Sequence, residues 1–363
     1  MSRRTVGVEE ELLLFDRGTT HLAKLGDILA DDDGQSGLPS VEHEFKRQQI
    51  ETATSPLPDM DSLHREIVRG RREVAHRARA SGVAPAALAT DPAPGLPATT
   101  DDLRYHRIMD AFGVIAASQL TCGMHVHVSV DSRDEGVAVI DRVRRWLPAL
   151  LAMSANSPFA EGADTGYASY RNVIWGRWPT AGPADVFASL GEYERVVEQL
   201  IATGAAMDEG MIYFDARLGV GYPTVEIRVM DVVPTAQDAV VLAALCRGLV
   251  DTAVEDWRSS EPPPDLPLSF VRAATWRAAR FGLTGELVDP RAGGLAPAGD
   301  VLEGLLAHTR KALFHNGDGE LVTRGVQQLL ARGTGAAWQR ASFARRQSMR
   351  DVVSDALDWT VTD

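Results

Sequence analysis

The chain has 363 residues, 45% hydrophobic and 24% charged, a balance that supports one sizeable core or two smaller ones and excludes disorder as the main state. A formal net charge of -13 and a pI of about 5.2 exclude a general nucleic-acid binder, which needs a basic footprint. An anionic substrate would need local help from arginines or metal. Cys122 and Cys246 stand far apart without zinc-site spacing, so a reducing cytoplasm is expected and each cysteine is read as a buried small apolar residue.

The start Met1-Ser2-Arg3-Arg4 carries no apolar signal core, and the apolar runs at 147–153 and 239–246 are too short to span a bilayer, so a soluble, untargeted protein is expected. The first predicted strand, Thr5–Phe15, holds three consecutive carboxylates within an apolar run. Strand alternation places Glu9 and Glu11 on one face with Gly7, and Glu10 on the other with Val6, Val8, Leu12 and Leu14. Two acids on one face point to a hard cation, whereas Glu10 is read as structural.

The segment 42–54 carries Glu44 and Glu51. Strict alternation sets them on opposite faces, so both serve one site only if the segment is bulged or partly non-strand. A helix is predicted over Met60–Ala80, where Leu63, Ile67 and Val74 share a face. Pro92, Pro94 and Pro97 mark a loop, and Thr99-Thr100-Asp101-Asp102 reads as the cap of the next helix.

In Cys122–Val130, His125, His127 and Ser129 alternate with Met124, Val126, Val128 and Val130. Two histidines on one strand face suit metal or phosphate, although each alone reads as structural. Helices are predicted over 136–153 and 184–203. In Met211–Leu218, Tyr213, Asp215 and Arg217 face away from Ile212, Phe214, Ala216 and Leu218. In Pro223–Asp231, Glu226 and Arg228 oppose Val225, Ile227 and Val229. Half-exposed strands with a weak salt bridge would show the same two patterns. Further helices are predicted over 235–257, 268–281, 301–313, 321–331 and 336–360, with loops at 261–264 and 289–299. Polar chemistry in strands beside long helices describes an α+β fold, read as a single domain over 1–363 with a mainly helical last third.

Together these segments offer Glu9, Glu11, Glu44, Glu51, His125 and Glu226 as an oxygen-rich ligand set, and Arg171, Arg217 and Arg228 as anion-binding forks. Carboxylates without thiolates suit Mg2+ or Mn2+. Converging acids repel unless divalent cations offset them, and cations that also bridge phosphate oxygens fit nucleotide phosphoryl transfer. Neither a GxxxxGK[ST] loop nor a GxGxxG turn follows a strand, so ATP would be held mainly by metals and arginines.

Five ordered motifs carry a resemblance over nearly the whole chain: Gly7–Glu11, Cys122–Val128, Ser154–Phe159, Asp164–Arg171 and Pro223–Arg228. The chain resembles the type 2 glutamate-cysteine ligases, also called carboxylate-amine ligases. That family is similar to glutamine synthetase catalytic domains, which implies a curved, mostly antiparallel sheet forming an active-site funnel covered by helices. It also implies ATP and Mg2+, small amino-acid substrates and a homodimer.

By motif, the resemblance implies Glu9, His125 and Glu226 at the metal bridging the β- and γ-phosphates, and Glu11, Glu44 and Glu51 at a metal nearer the substrates. It implies His127 on phosphate or substrate, Arg228 on the substrate carboxylate or transferred phosphate, and Arg171 and Arg217 in related anion contacts. Asp215 is a candidate base for the amine, or an ion-pair partner of Arg217. Thr90-Asp91-Pro92 and Phe214 depart from residues common in the family and could reshape the amine or carboxylate pocket.

The implied reaction joins the γ-carboxylate of glutamate to the amine of cysteine through an acyl phosphate, with ADP and phosphate released. The same chemistry with another acid or amine, and a metal or nucleotide sensor without turnover, are the alternatives.

Overall fold

The computed structural model describes residues 3–30 and 40–362, so Met1 and Ser2 lie outside the described residues. Eleven strands follow in chain order among the described residues: β1 (Val6–Asp16), β2 (Ser40–His43), β3 (Gln49–Ala53), β4 (Val83–Ala86), β5 (Gly123–Ser129), β6 (Phe159–Ala160), β7 (Ala163–Asp164), β8 (Ala216–Leu218), β9 (Thr224–Asp231), β10 (Glu286–Asp289) and β11 (Gly294–Pro297). Seven of them build one sheet in the order β2-β3-β1-β5-β9-β8, with β4 paired to the C-terminal end of β1. Every pairing in it is antiparallel, and with the helices it makes an open α+β fold.

The apolar face is the one that alternation predicts. Val6 and Val8 of β1, Met124, Val126 and Val128 of β5, and Val225 and Ile227 of β9 are buried in one cluster with the long helix Ala236–Arg258. That helix is buried on nearly every side, which marks it as a core helix rather than a surface one. The C-terminal half of β1, Leu12 to Phe15, packs into a second cluster with β4 and with Val353 and Leu357 of the last helix.

Several predicted elements are corrected. The run 136–153 forms two helices, Arg133–Val143 and Leu147–Ser154, because Pro148 cannot donate a backbone hydrogen bond and is tolerated only in a first turn. The run 336–360 also forms two, Gly335–Arg346 and Met349–Val361. Gln347, at φ 54°, breaks the first in the left-handed region, and Ser348 caps the second by accepting from the Asp351 amide.

The helix predicted from 184 begins at Leu190 behind its cap Ser189. The strand predicted over Met211–Leu218 keeps only Ala216–Leu218, since Glu209–Met211 forms a 3-10 turn. The loop 289–299 contains one arm of the β10–β11 hairpin. Both cysteines are buried and unpaired, and no helix among the described residues is long and apolar enough to cross a membrane.

Candidate active site

The strand register assembles the polar face. Glu9 on β1 stands opposite His125 on β5, and Glu11 opposite Glu51 on β3. Gly7 stands opposite His127, which stands opposite Glu226 on β9, which in turn stands opposite Arg217 on β8. Residues facing one another across an antiparallel ladder share a sheet face, so three carboxylate-bearing strands deliver their ligands to one wall.

One irregularity adjusts this pattern. Met124 pairs with Met230 and Val126 with Ile227, leaving His125 opposite both Arg228 and Val229. This extra residue is a β-bulge, which shifts strand parity by one. Arg228 lines the same cavity as Glu226 by ordinary alternation, while Met230, two residues later but past the bulge, is buried in the apolar core.

Glu44 escapes the parity conflict in a different way. β2 ends at His43 and β3 starts at Gln49, so Glu44 lies on an irregular connection and its carboxylate can reach the wall that holds Glu51. Its Oε2 accepts from the Phe45 amide at 2.9 Å.

The resulting cavity has a volume of about 300 Å³ and is lined by Glu9, Glu11, Glu44, Glu51, His125, His127 and Glu226, among others. Three trios among these can each present one ligand atom within 4.8 Å of the others: Glu9, Glu51 and His125; Glu9, His127 and Glu226; and Glu11, Glu44 and Glu51. His125 Nδ1 lies 3.2 Å from Glu9 Oε2, and His127 Nε2 lies 3.2 Å from Glu9 Oε1. The buried Nε2 of His125 has no hydrogen-bond partner among the described residues.

Electrostatics divide the carboxylates. Burial, reinforced by the negative charge of Glu44, raises the Glu11 pKa to about 8. Burial and the charges of Glu44 and Glu9 likewise push Glu51 well up. Burial also opposes ionisation of Glu226, but Arg228 and Arg217 outweigh it and bring its pKa down to about 2. Glu9 is driven below the usual carboxylate range because its bonds to His125 and His127 overcome its burial. Burial, with Arg228 nearby, lowers His125 to about 4, leaving a neutral imidazole suited to coordination. His127 is raised, because Glu9 and Glu226 overcome its own burial.

The arginines differ in placement. Arg228 lines the cavity and contacts the Glu226 carboxylate through Nη1. Arg217 also lines it, but its donors are engaged: Nε donates to Glu226 at 2.7 Å, and Nη1 to the carbonyls of Glu209, Gly210 and Ile212. Arg171 and Asp215 are buried and lie outside the cavity lining. The ion-pair reading of Asp215 is corrected, since Arg217 pairs with Glu226 instead. Thr90 bonds to the Phe159 carbonyl and Phe214 packs against Phe187; neither they nor Asp91 and Pro92 line the cavity.

Sequence reasoning missed much of the opposite wall: Arg104, Tyr105, Trp175, Trp178 and Tyr222. Arg104 projects from the helix Leu103–Phe112 and holds Asp208 through two hydrogen bonds, 2.9 and 3.1 Å. Trp175 and Trp178 flank Tyr213, with ring centroids 4.7 and 5.6 Å away. The Asp102 cap, which accepts from the Arg104 and Tyr105 amides, was the one local signal that placed a helix start here.

Comparison with known proteins bears on this geometry. The chain is 48% identical over 361 residues to a candidate glutamate–cysteine ligase 2-1 of Paenarthrobacter aurescens, covering 98% of this chain and 94% of that protein. It is 50% identical over 356 residues to a candidate glutamate–cysteine ligase 2 of Streptomyces coelicolor, covering 97% of each. Among solved structures it is similar in fold to a glutamate–cysteine ligase of Francisella tularensis in complex with AMP, with a TM-score of 0.68 at 13% identity, covering all of this chain and 90% of that one. It is also similar to a bifunctional glutathione synthetase of Pasteurella multocida, with a TM-score of 0.71 at 14% identity, covering 99% of this chain and 52% of that one. With a sequence profile that matches residues 5–357 and relatives this close over nearly their full length, the chain belongs to glutamate-cysteine ligase family 2.

Proposed function

We propose that the protein is an ATP-dependent ligase that joins the γ-carboxylate of glutamate to the amine of cysteine, forming an amide and releasing ADP and phosphate. The observation that carries this reading is the single cavity wall on which three overlapping trios of carboxylates and histidines face Arg228. A wall of that composition suits a polyphosphate bound with divalent cations, and family membership supplies the reaction class.

The donor set fits Mg2+ or Mn2+. Its ligands are carboxylate oxygens and imidazoles without thiolate, and buried acids such as Glu11 and Glu51 retain protons that a cation would replace. The trios set His125 with Glu9 and Glu51, and Glu226 with Glu9 and His127; Glu9, His125 and Glu226 would hold one ion, with His125 Nδ1 3.9 Å from Glu226 Oε1, and Glu11, Glu44 and Glu51 another. Bound there, such ions would neutralise charge that develops on the transferred phosphoryl group.

The chain's own residues would do the rest. Arg228 would stabilise the anionic oxygens of phosphate or substrate carboxylate with pre-aimed donors. His127, steadied by the Thr224 hydroxyl 3.1 Å from its Nδ1, would donate to a phosphate or substrate oxygen. Arg217 would keep Glu226 ionised and hold the 209–212 segment over the cavity. The aromatic wall of Trp175, Trp178 and Tyr213 would exclude water while the carboxylate, activated as an acyl phosphate, awaits the amine.

The test incubates the purified protein with ATP, Mg2+, glutamate and a panel of amines, measuring ADP and identifying products by mass spectrometry. γ-Glutamylcysteine as the preferred product supports the proposal. A different amide would keep the ligase chemistry and replace the substrates, and nucleotide binding without ADP release across the panel would sink it. Light scattering of the same preparation tests the homodimer that we propose with it.

A further inference from the structure

Arg171 belongs to a motif that the site's lining does not absorb. It is 1% exposed and lies outside the cavity lining, yet it touches three parts of that site from beyond the lining. Its Nη2 is 3.5 Å from the carbonyl of Arg228, at the β-bulge. Its guanidinium lies over Trp175, 5.5 Å from the ring centroid, and Trp175 lines the cavity. Its third neighbour is Gly123, where a Cβ would come within 2.3 Å of Nη2 and 2.9 Å of Cζ. The amide of that same glycine donates to Glu11 Oε2 at 2.6 Å.

The surroundings explain why an arginine can be buried here. Asp215 and Asp231 are both buried carboxylates under its electrostatic influence. Asp231 is fixed by the Asn156 amide and the hydroxyls of Ser157 and Ser169, and Ser157 Oγ also accepts from the Arg171 amide at 2.9 Å. A cation in the field of two buried acids, on a backbone itself tied down, is a fixed support.

We propose that Arg171 is a positioning residue, wedged beside the β5–β9 bulge so that Arg228, Trp175 and the Glu11-binding amide of Gly123 keep their places at the cavity. It touches neither substrate nor phosphate. The catalytic consequence rests on the ligase reading above, whereas the positioning itself is readable without turnover.

The experiment compares Arg171→Gln, Arg171→Lys and Gly123→Ala with wild type. In ligand-free protein, Arg171→Gln should alter tryptophan emission, and the difference should vanish in a Trp175→Phe background. In the ligase assay, Arg171→Gln and Gly123→Ala should each lower kcat about tenfold or more with nucleotide KM within about threefold, and the double variant should be no worse than the weaker single.

Arg171→Lys, which retains the charge, should recover part of the loss. If Arg171→Gln does not fold, Gly123→Ala and Arg171→Lys carry the test. Unchanged emission, a large rise in nucleotide or acid KM at constant kcat, or multiplicative losses in the double variant would each overturn the proposal. Wild-type protein without turnover would defeat the ligase reading alone, leaving the emission result to decide positioning.

Discussion

Glu10 and Arg71 form a bidentate ion pair on the face of β1 that turns away from the cavity, with Glu10 Oε1 2.7 Å from Nη2 and Oε2 2.8 Å from Nε. Both side chains are almost fully buried, and Arg71 also donates to the carbonyls of Val233 and Pro234. The pair ties β1 to the end of β9 through the helix Met60–Ala78. Breaking a buried pair strands the remaining charge, so Glu10→Ala should cost about 3–5 kcal/mol of stability. Denaturant unfolding measures that loss. A folded variant should keep substrate KM near wild type, whereas a KM change with unaltered stability would show that Glu10 serves the site.

Candidate ligands on the cavity face should behave differently. Glu9→Gln or His125→Ala should reduce turnover by at least about a hundredfold while leaving the melting temperature within a few degrees, whereas Glu226→Gln, which strands the buried Arg217 and Arg228, should lose turnover and stability together. Each should also weaken the Mn2+-dependent thermal shift. A variant with wild-type turnover would remove that residue from the ligand set.

Removing metal gives a second view of the same wall. Excess Mg2+ should raise the melting temperature and chelator should lower it. The shift should grow as pH rises toward about 8, because the Glu11 proton must leave before a cation binds. A shift independent of pH over that range would argue that Glu11 contributes no ligand.

Asp215 provides a pH test away from the wall. Burial raises its pKa from 3.8 to about 7, partly offset by Arg171. Between those values the folded chain holds a proton that the unfolded chain has lost, so the wild type loses stability as pH rises through the window, by up to about 1.4 kcal/mol per pH unit. Asp215→Asn does not titrate, and its stability relative to wild type should therefore climb between about pH 4 and pH 7 and then level off. A constant difference across that range would place the Asp215 carboxyl in a solvated setting.

Arg104 is partly exposed and its pair with Asp208 sits at the cavity mouth. Exposed pairs contribute little to stability, so Arg104→Ala should change unfolding by less than about 1 kcal/mol. If the side chain meets an incoming anion, KM for one substrate should rise about three- to tenfold with kcat preserved. Unchanged KM for every substrate would make the pair a surface feature only.

The site was legible wherever it rests on strands. Alternation on β1, β5 and β9 is strict enough that Glu9, Glu11, His125, His127 and Glu226 share a wall, and the register joins them. It failed where periodicity has no meaning. Glu44 sits on an irregular connection, and Arg104, Trp175 and Tyr222 come from helices and a turn whose sequences carry no sign of what they face. Arg217 and Asp215 looked equivalent by alternation, yet the strand starts only at Ala216, so one lines the cavity and the other is buried off it. Helix ends at Val143 and Arg346 were hidden because apolar residues continue past both breaks.

The bulge opposite His125 decides which change of length β9 can accept. Its first half counts residues toward the cavity on even numbers, Glu226 and Arg228, and its second half on odd ones, with Met230 in the core and Asp231 bonded to Ser157 and Ser169. Deleting Val229 would close the bulge into a regular ladder in which Met230 still meets Met124 and Asp231 still meets Gly123, whereas removing a residue elsewhere on the strand with the bulge kept would swap core and cavity side chains on one side of the cut. The extra residue is a slack link: β9 can lose one residue at the bulge and keep every other address, but not one elsewhere along its length.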